Sequence, residues 1–231
     1  MLVFIPARSG SKGIKNKNLV KINGKPLIYY TLQICKFLRK KHDIFISTDS
    51  YRIRNYCAKQ GFRTNYIRPK KLSTDTISIV DAIFHGVNWY HKNNQNRIKD
   101  ILLLQPTSPL RKLTDVNKAI NLYKKNKLDS LVSVTPMREH PYESVKYDIK
   151  KNKWNYIEKQ KNFKNSRQQY KNNFYYIDGS LYLSSLKHLR KYKKFVQKNI
   201  TKLFFINQKY NIDIDDYEDL ILAETLIKKI K

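Results

Sequence analysis

The sequence predicts an α/β fold with a mostly parallel sheet and helices on both faces, on three observations. The chain opens on an apolar strand that runs into a loop of small and basic residues. Short apolar strands then alternate with helical patterns of roughly ten to fifteen residues. The most apolar run, Ile101-Leu-Leu-Leu-Gln105, has the unbroken hydrophobicity of a strand buried on both faces.

Residues 2–5 read as the first strand, and Pro6 helps end it because it lacks a backbone donor. The loop behind it holds Ser9, Gly10, Ser11 and Gly13, with Arg8, Lys12, Lys15 and Lys17 spread through it. Small residues let backbone N–H groups approach a ligand closely, and the cations sit where a polyphosphate would need them. The pattern matches neither G-x-x-x-x-G-K-[ST] nor G-x-G-x-x-G, so locally a phosphate loop and a solvated turn are both open.

Residues 19–22 are extended and close on the turn Asn23-Gly24-Lys25-Pro26. Leu27–Leu38 carries apolar residues at helical spacing. A strand over 44–48 runs into Asp49, a helix follows over 53–60, and Gly61 suits the position after its end. Residues 62–67 read as a short strand, and 76–90 as a third helix capped by Asp75 or Thr76. After the central strand, 106–109 is a loop, Thr114 caps a helix over 115–125, and 130–135 is the next strand. Ligands of such sheets bind at the carboxyl ends of the strands. The polar exits at Arg8 to Lys17, Asp49 and Gln105 gather there, which favours the phosphate loop.

Beyond Glu143 the alternation changes. Residues 145–157 read as a hairpin around Lys150-Lys-Asn-Lys153, and 159–173 as a polar excursion. Aromatic strands flank the excursion, so a dimerisation arm is favoured over a disordered loop. Strands over 180–183 and 203–206 precede a closing helix over 217–230, capped by Asp215 or Asp216. The organisation expected is one domain over 1–231, with 143–180 as the inserted dimerisation and sugar-binding segment.

The formal net charge is +29, from 47 Lys+Arg against 18 Asp+Glu. That balance admits nucleic acid, an anionic membrane surface or anionic small substrates. Lysines occur from end to end, in short runs and without an arginine-rich arm, so solvated lysine faces are the reading and no specific nucleic acid is expected. Cys35 and Cys57 fall in helical patterns, which points to reduced thiols and a cytoplasmic protein rather than a disulfide framework. Neither a leader nor a membrane-inserted segment is expected.

Asp213-Ile-Asp215 places two carboxylates at i and i+2, on one face of an extended backbone. Such a pair near a phosphate loop offers the hard oxygens that Mg²⁺ takes, while acids just before a helix also serve as caps. The histidines are scattered, no Ser or Cys sits in a nucleophile elbow, and no Cys/His spacing fits zinc. Polyphosphate and Mg²⁺ without a nucleophile leave phosphoryl or nucleotidyl transfer by positioning and charge neutralisation.

The stretch Ile5-Pro-Ala-Arg-Ser-Gly-Ser-Lys-Gly13 with Lys17-Asn18-Leu19 resembles the opening of the CMP-sialic acid synthetases, the cytidylyltransferases of sialic and related nine-carbon acids. Further matches arrive in the family's order: Ser47-Thr48-Asp49, Arg68-Pro69 with Asp75-Thr76, Leu103-Leu-Gln-Pro-Thr-Ser-Pro-Leu-Arg111, Arg167-Gln168 with Asp178-Gly179-Ser-Leu-Tyr182, and Ile212-Asp-Ile-Asp215. The resemblance implies a Rossmann-like nucleotidyltransferase fold, a homodimer built through the inserted arm, and transfer of CMP from CTP to the sugar acid with release of pyrophosphate. It implies Arg8, Lys12 and Lys17 as the phosphate set, with Ser11 and Gly13 in the same nucleotide loop. Asn18, Ser78 and Gln105 are implied as nucleoside or sugar contacts, and Arg68 as a nucleotide contact. Arg167 aligns with a substrate-region arginine that joins Arg8 and Lys17 in catalysis. Asp213 and Asp215 match the carboxylates for Mg²⁺, with Mn²⁺ as substitute. Asp178 stands where the family usually has Asn, Glu143 where some members have Lys, and the interval from Arg167 to Gly179 is longer than in relatives. Sialic, legionaminic and pseudaminic acids therefore all stay open, and the Kdo enzymes are more distant. The alternative from another class is a polyanion-binding protein on an inactive nucleotidyltransferase fold.

Overall fold

The structure is a computed structural model that describes residues 1–11, 13–137, 139–158, 174–206 and 212–230. The chain opens with β1 (Leu2–Pro6), a two-residue hairpin of β2 (Lys21–Ile22) and β3 (Lys25–Pro26), and α1 (Leu27–Leu38). β4 (Asp43–Ser47), α2 (Tyr51–Lys59), α3 (Ile79–Asn93), β5 (Asp100–Leu103), α4 (Leu113–Lys125) and β6 (Ser130–Pro136) follow. A hairpin of β7 (Val145–Asp148) and β8 (Lys153–Tyr156) precedes the long β9 (Tyr175–Ser185), α5 (Leu186–Tyr192), β10 (Lys202–Phe205) and α6 (Tyr217–Ile230).

The main sheet has six strands in the order β10-β6-β9-β5-β1-β4. β1 runs parallel to β4 and β5, and β10 parallel to β6, while β9 lies antiparallel between β5 and β6. The layers follow from the period of two along β1. Val3 and Ile5 enter a core built with α1, α2 and α4, through Leu32, Cys35, Cys57 and Ala119. Leu2 and Phe4 enter the opposite core, against α3 and α5, through Ile83, Val87 and Leu189. Phe4 stacks on Phe45 with ring centroids 5.5 Å apart. Each such side chain taken fully out of water contributes about 1.5–3 kcal/mol, so two-sided burial of β1 fixes its register firmly. A third cluster joins Ile14, Leu110, Ile212 and Ile214 to Ala223 and Ile227 of α6. It draws the basic loop and the Asp213–Asp215 segment to the same end of the sheet.

Three local expectations are corrected. Residues 62–67 form no strand, although Phe62 and Tyr66 are buried as a period of two requires. Among the described residues this segment has no ladder partner, and the next backbone bond to the β4 side comes just past the strand, where Arg68 N donates to Thr48 O at 2.8 Å. α3 begins at Ile79, capped by Ser78 Oγ, which accepts from Val80 N at 3.2 Å. The expected cap Asp75 instead pairs with Arg8, so the chain from 74 to 77 stays a loop. α4 begins at Leu113 behind Lys112, with Thr114 already inside it, because Arg111 is fixed in the core just before. At the closing helix Asp216 is the cap, accepting from Asp219 N at 2.9 Å, while Asp219 Oδ2 accepts from Asp215 N at 2.9 Å. This reciprocal arrangement leaves both the Asp213 and Asp215 side chains outside the capping role.

Candidate active site

The carboxyl ends of β1 and β5 open into one cavity of about 230 Å³. Arg8, Ser11, Lys17, Asn18, Arg68, Ser78 and Gln105 all line it, so seven residues scattered from 8 to 105 meet around one space. Lys12 and Arg167 lie outside the described residues. Gly13 packs behind the cavity: a Cβ there would stand 2.2 Å from Asp215 O, so only glycine lets the loop come this close to the carboxylate segment.

The loop is held from below by carboxylates and amides. Ser9 donates to Asp49 through its backbone N at 2.7 Å and its hydroxyl at 2.6 Å. Asn18 Nδ2 donates to Arg8 O at 2.9 Å, and the Arg8 guanidinium forms an ion pair with Asp75 across the cavity. Lys17 Nζ donates to Ile214 O at 2.7 Å and to Asp215 Oδ1 at 3.0 Å, tying the basic loop to the acidic segment. Arg68 is buried below β4, where it donates to the Ser47 hydroxyl at 2.9 Å and to the Ser47 carbonyl. Burial pulls its pKa down, opposed by Tyr66 and Asp49.

Asp213 and Asp215 stand beside the cavity rather than in its lining. Ile214 N donates to Thr107 O at 2.9 Å, which fixes them against a cavity residue. Asp215 is 79 % exposed at its side chain, whereas Asp213 Oδ1 is buried and, among the described residues, has no hydrogen-bond partner. Burial pushes the Asp213 carboxyl above the ordinary carboxylate range, and Asp215 adds to this; a hydrogen bond from Thr107 and the charges of Lys17 and Arg111 act against it. Among the described residues, no three His, Cys, Asp or Glu side chains converge to hold a metal ion.

Sequence reasoning assigned no role to Arg111. This arginine is buried and donates to the Ser180 carbonyl, to Thr31 Oγ1 at 3.2 Å and to Gln105 O at 2.6 Å. It thereby ties β9, α1 and the exit of β5 together under the site. Burial lowers its pKa to about 10 against the opposing pull of Cys35, Asp213 and Asp178. The signal in the sequence was an arginine closing Pro106-Thr-Ser-Pro109-Leu110, too close to two apolar elements to reach solvent.

The sequence matches the family described as "Cytidylyltransferase" over residues 2–228. It is 31 % identical over 222 residues to the N-acylneuraminate cytidylyltransferase of Streptococcus agalactiae serotype III, covering 95 % of this chain and 51 % of that protein. The chain thus spans about half the length of that relative. It is 30 % identical over 231 residues to the CMP-N,N'-diacetyllegionaminic acid synthase of Legionella pneumophila, covering 99 % of this chain and 96 % of that one. Among solved structures, a CMP:2-keto-3-deoxy-manno-octonic acid synthetase complexed with CTP superposes with a TM-score of 0.71. At 16 % identity, covering 100 % of this chain and 99 % of the other, it shows a shared fold.

Proposed function

Because the chain belongs to the cytidylyltransferase family, we propose that it transfers CMP from CTP to the anomeric hydroxyl of a nine-carbon sugar acid of the sialic, legionaminic or pseudaminic type. The observation that carries this reading is the convergence of Arg8, Lys17, Arg68 and Gln105 on one cavity beside Asp213 and Asp215. In the reaction the sugar oxygen forms a bond to the α-phosphorus, the bond to the pyrophosphate oxygen breaks, and the hydroxyl proton is lost. Arg8 and Lys17 stabilise the charge that builds on the phosphates. Arg68 and Gln105 hold the nucleoside, Ser11, Gly13 and Asn18 shape the loop, and Lys12 and Arg167 complete the substrate contacts. Ser78 reaches the same wall from the start of α3, so its hydroxyl serves the helix cap and the cavity together.

Mg²⁺ fits the Asp213–Asp215 pair. The donors are hard oxygens, and the unpartnered Asp213 Oδ1 is an acceptor that a cation would satisfy. Two carboxylates fill only part of its shell, which suits an ion that shares ligands with nucleotide phosphates. When bound, it would neutralise phosphate charge; Mn²⁺ has the same ligand preference.

The proposal extends to a cytoplasmic homodimer. Val145, Tyr147, Trp154, Tyr175 and Phe205 are large and exposed, and Tyr175 packs edge-on to Phe205 at 4.8 Å. A second copy would cover this face, continuous with the 143–180 segment, whose residues 159–173 lie outside the described ones. Light scattering gives the oligomeric state directly. The catalytic reading is tested by CTP-dependent pyrophosphate release with Mg²⁺ and a panel of sialic, legionaminic, pseudaminic and Kdo acids. Folded protein that releases pyrophosphate with none of the nine-carbon acids would sink it.

A further inference from the structure

Asp178 sits where β9 crosses β6 with a shift of register between Val132 and Val134. The irregularity brings Ser133 within reach: its hydroxyl donates to Asp178 Oδ1, and accepts from Leu181 N at 3.1 Å. Ser180 N donates to the same Asp178 oxygen at 2.9 Å. Every donor thus converges on Oδ1. The other oxygen, Oδ2, is buried without a partner in a residue only 2 % exposed. A buried carboxylate oxygen with no donor is costly unless positive charge lies near it.

The charges near it belong to the site. Gly179 follows at φ +73°, and a Cβ there would stand 2.6 Å from Asp213 Oδ2. The backbone behind Asp178 is therefore packed directly on the Asp213 carboxylate, which has an unpartnered buried oxygen of its own. Arg111 faces both acids electrostatically, but its hydrogen bonds go to Ser180, Thr31 and Gln105. Behind the cation pair Asp178 adds one negative charge, and Arg111 is shared between it and Asp213. Asp178 does not meet Asp213 and Asp215 in a group of three able to hold one ion.

We infer that Asp178 is a positioning charge for the cation site: it raises the divalent-cation affinity of Asp213 and Asp215 through the field, without ligating the ion. This rests on the cation reading of that pair proposed above. In a partly buried site, a unit charge on the residue next to one packed against a ligand changes cation affinity. Asp178→Asn keeps the shape and the Oδ1 acceptor, removes the charge and puts an NH2 donor where the unpartnered Oδ2 stands. Ser133→Ala keeps the charge and removes a hydrogen bond.

The test is titration of Mn²⁺ into the full chain, with and without CTP, followed by electron paramagnetic resonance, beside melting temperatures. Asp178→Asn should weaken Mn²⁺ binding about tenfold while melting no lower than the parent. Ser133→Ala should bind within about twofold of the parent, and Asp213→Asn should lose binding. Parental affinity in Asp178→Asn, with Asp213→Asn inactive in binding, overturns the inference and leaves the cation pair standing. A lower melting temperature in Asp178→Asn with unchanged Mn²⁺ affinity would make the residue a partner of Arg111 only. Retained affinity in Asp213→Asn would remove both the pair and its tuning.

Discussion

At the scale of single residues, charge placement separates the roles. Arg8 is about one-third exposed, contacts no apolar cluster and pairs with Asp75 across the cavity. Arg8→Ala should therefore leave the melting temperature within a degree or two and lower kcat/KM for CTP by about 2–4 kcal/mol, a factor of roughly 30 to 10³. Parental turnover would take Arg8 out of the site. His188 shows the opposite case, an ionisable group committed to the core. It is 2 % exposed and lies against the Tyr192 ring at 4.8 Å. Burial lowers its pKa, with Asp129 opposing. The folded state then prefers the neutral ring: its stability is complete above the unfolded value of about 6.5 and is lost as pH falls through the lower folded value. Stability should fall on going from pH 7 to pH 5, by at most about 1.4 kcal/mol per pH unit from this one group, and the melting temperature should fall with it. His188→Phe should flatten that slope; an unchanged slope would assign the acid sensitivity elsewhere.

At the scale of elements, the site depends on two glycines that let other segments come close to residues 213–216, one against its backbone and one against the Asp213 carboxylate. The loop behind β1 touches the 213–216 segment through Gly13, and β9 touches it through Gly179. In Gly13→Ala the new methyl would overlap Asp215 O at 2.2 Å, and the obstacle is backbone that cannot swing aside. Destabilisation of about 1–3 kcal/mol is expected, with a larger loss of activity because Lys17 would lose its grip on Ile214 and Asp215. Thermal melting and CTP kinetics on this variant check the contact, and parental values in both would mean that the two segments are not in register. The caps were read in part correctly. Acids before α6 do cap it, yet Asp216 and Asp219 carry the whole task. The sequence alone could not assign the capping acid, because three candidates stand within four positions.

At the scale of the molecule, the +29 charge suits the proposed substrates, which are both anions. Lysines distributed over the surface raise the local concentration of such ligands at low ionic strength. kcat/KM for CTP should fall several-fold between about 0.05 and 0.5 M salt while kcat changes less, since screening acts on encounter rather than on the buried contacts. A flat kcat/KM would mean that the lysines serve solubility alone. No helix among the described residues is long and apolar enough to cross a membrane. The family match argues against the polyanion-binding alternative, which required an inactive site. It predicts tight, salt-steep nucleic-acid binding indifferent to CTP, measurable by fluorescence anisotropy.

The sequence by itself determined the layered α/β plan, the helix at Leu27–Leu38, the apolar strand at the centre and the residues of the basic loop, because hydrophobic period and turn chemistry are local properties. It also held the motif order that marks the family. Only the tertiary structure decided what depends on distant segments meeting. β9 enters the sheet antiparallel, between β5 and β6, which no local pattern encodes. Residues 62–67 have the alternation of a strand but no neighbour to pair with. Asp75 pairs with Arg8 instead of capping α3, since a cation arriving from sixty-odd positions away competes better for it than a helix end. Arg111 came to lie under the site for the same reason: a buried guanidinium must find acceptors on distant segments, here Ser180, Thr31 and Gln105, and they meet only once the chain has folded.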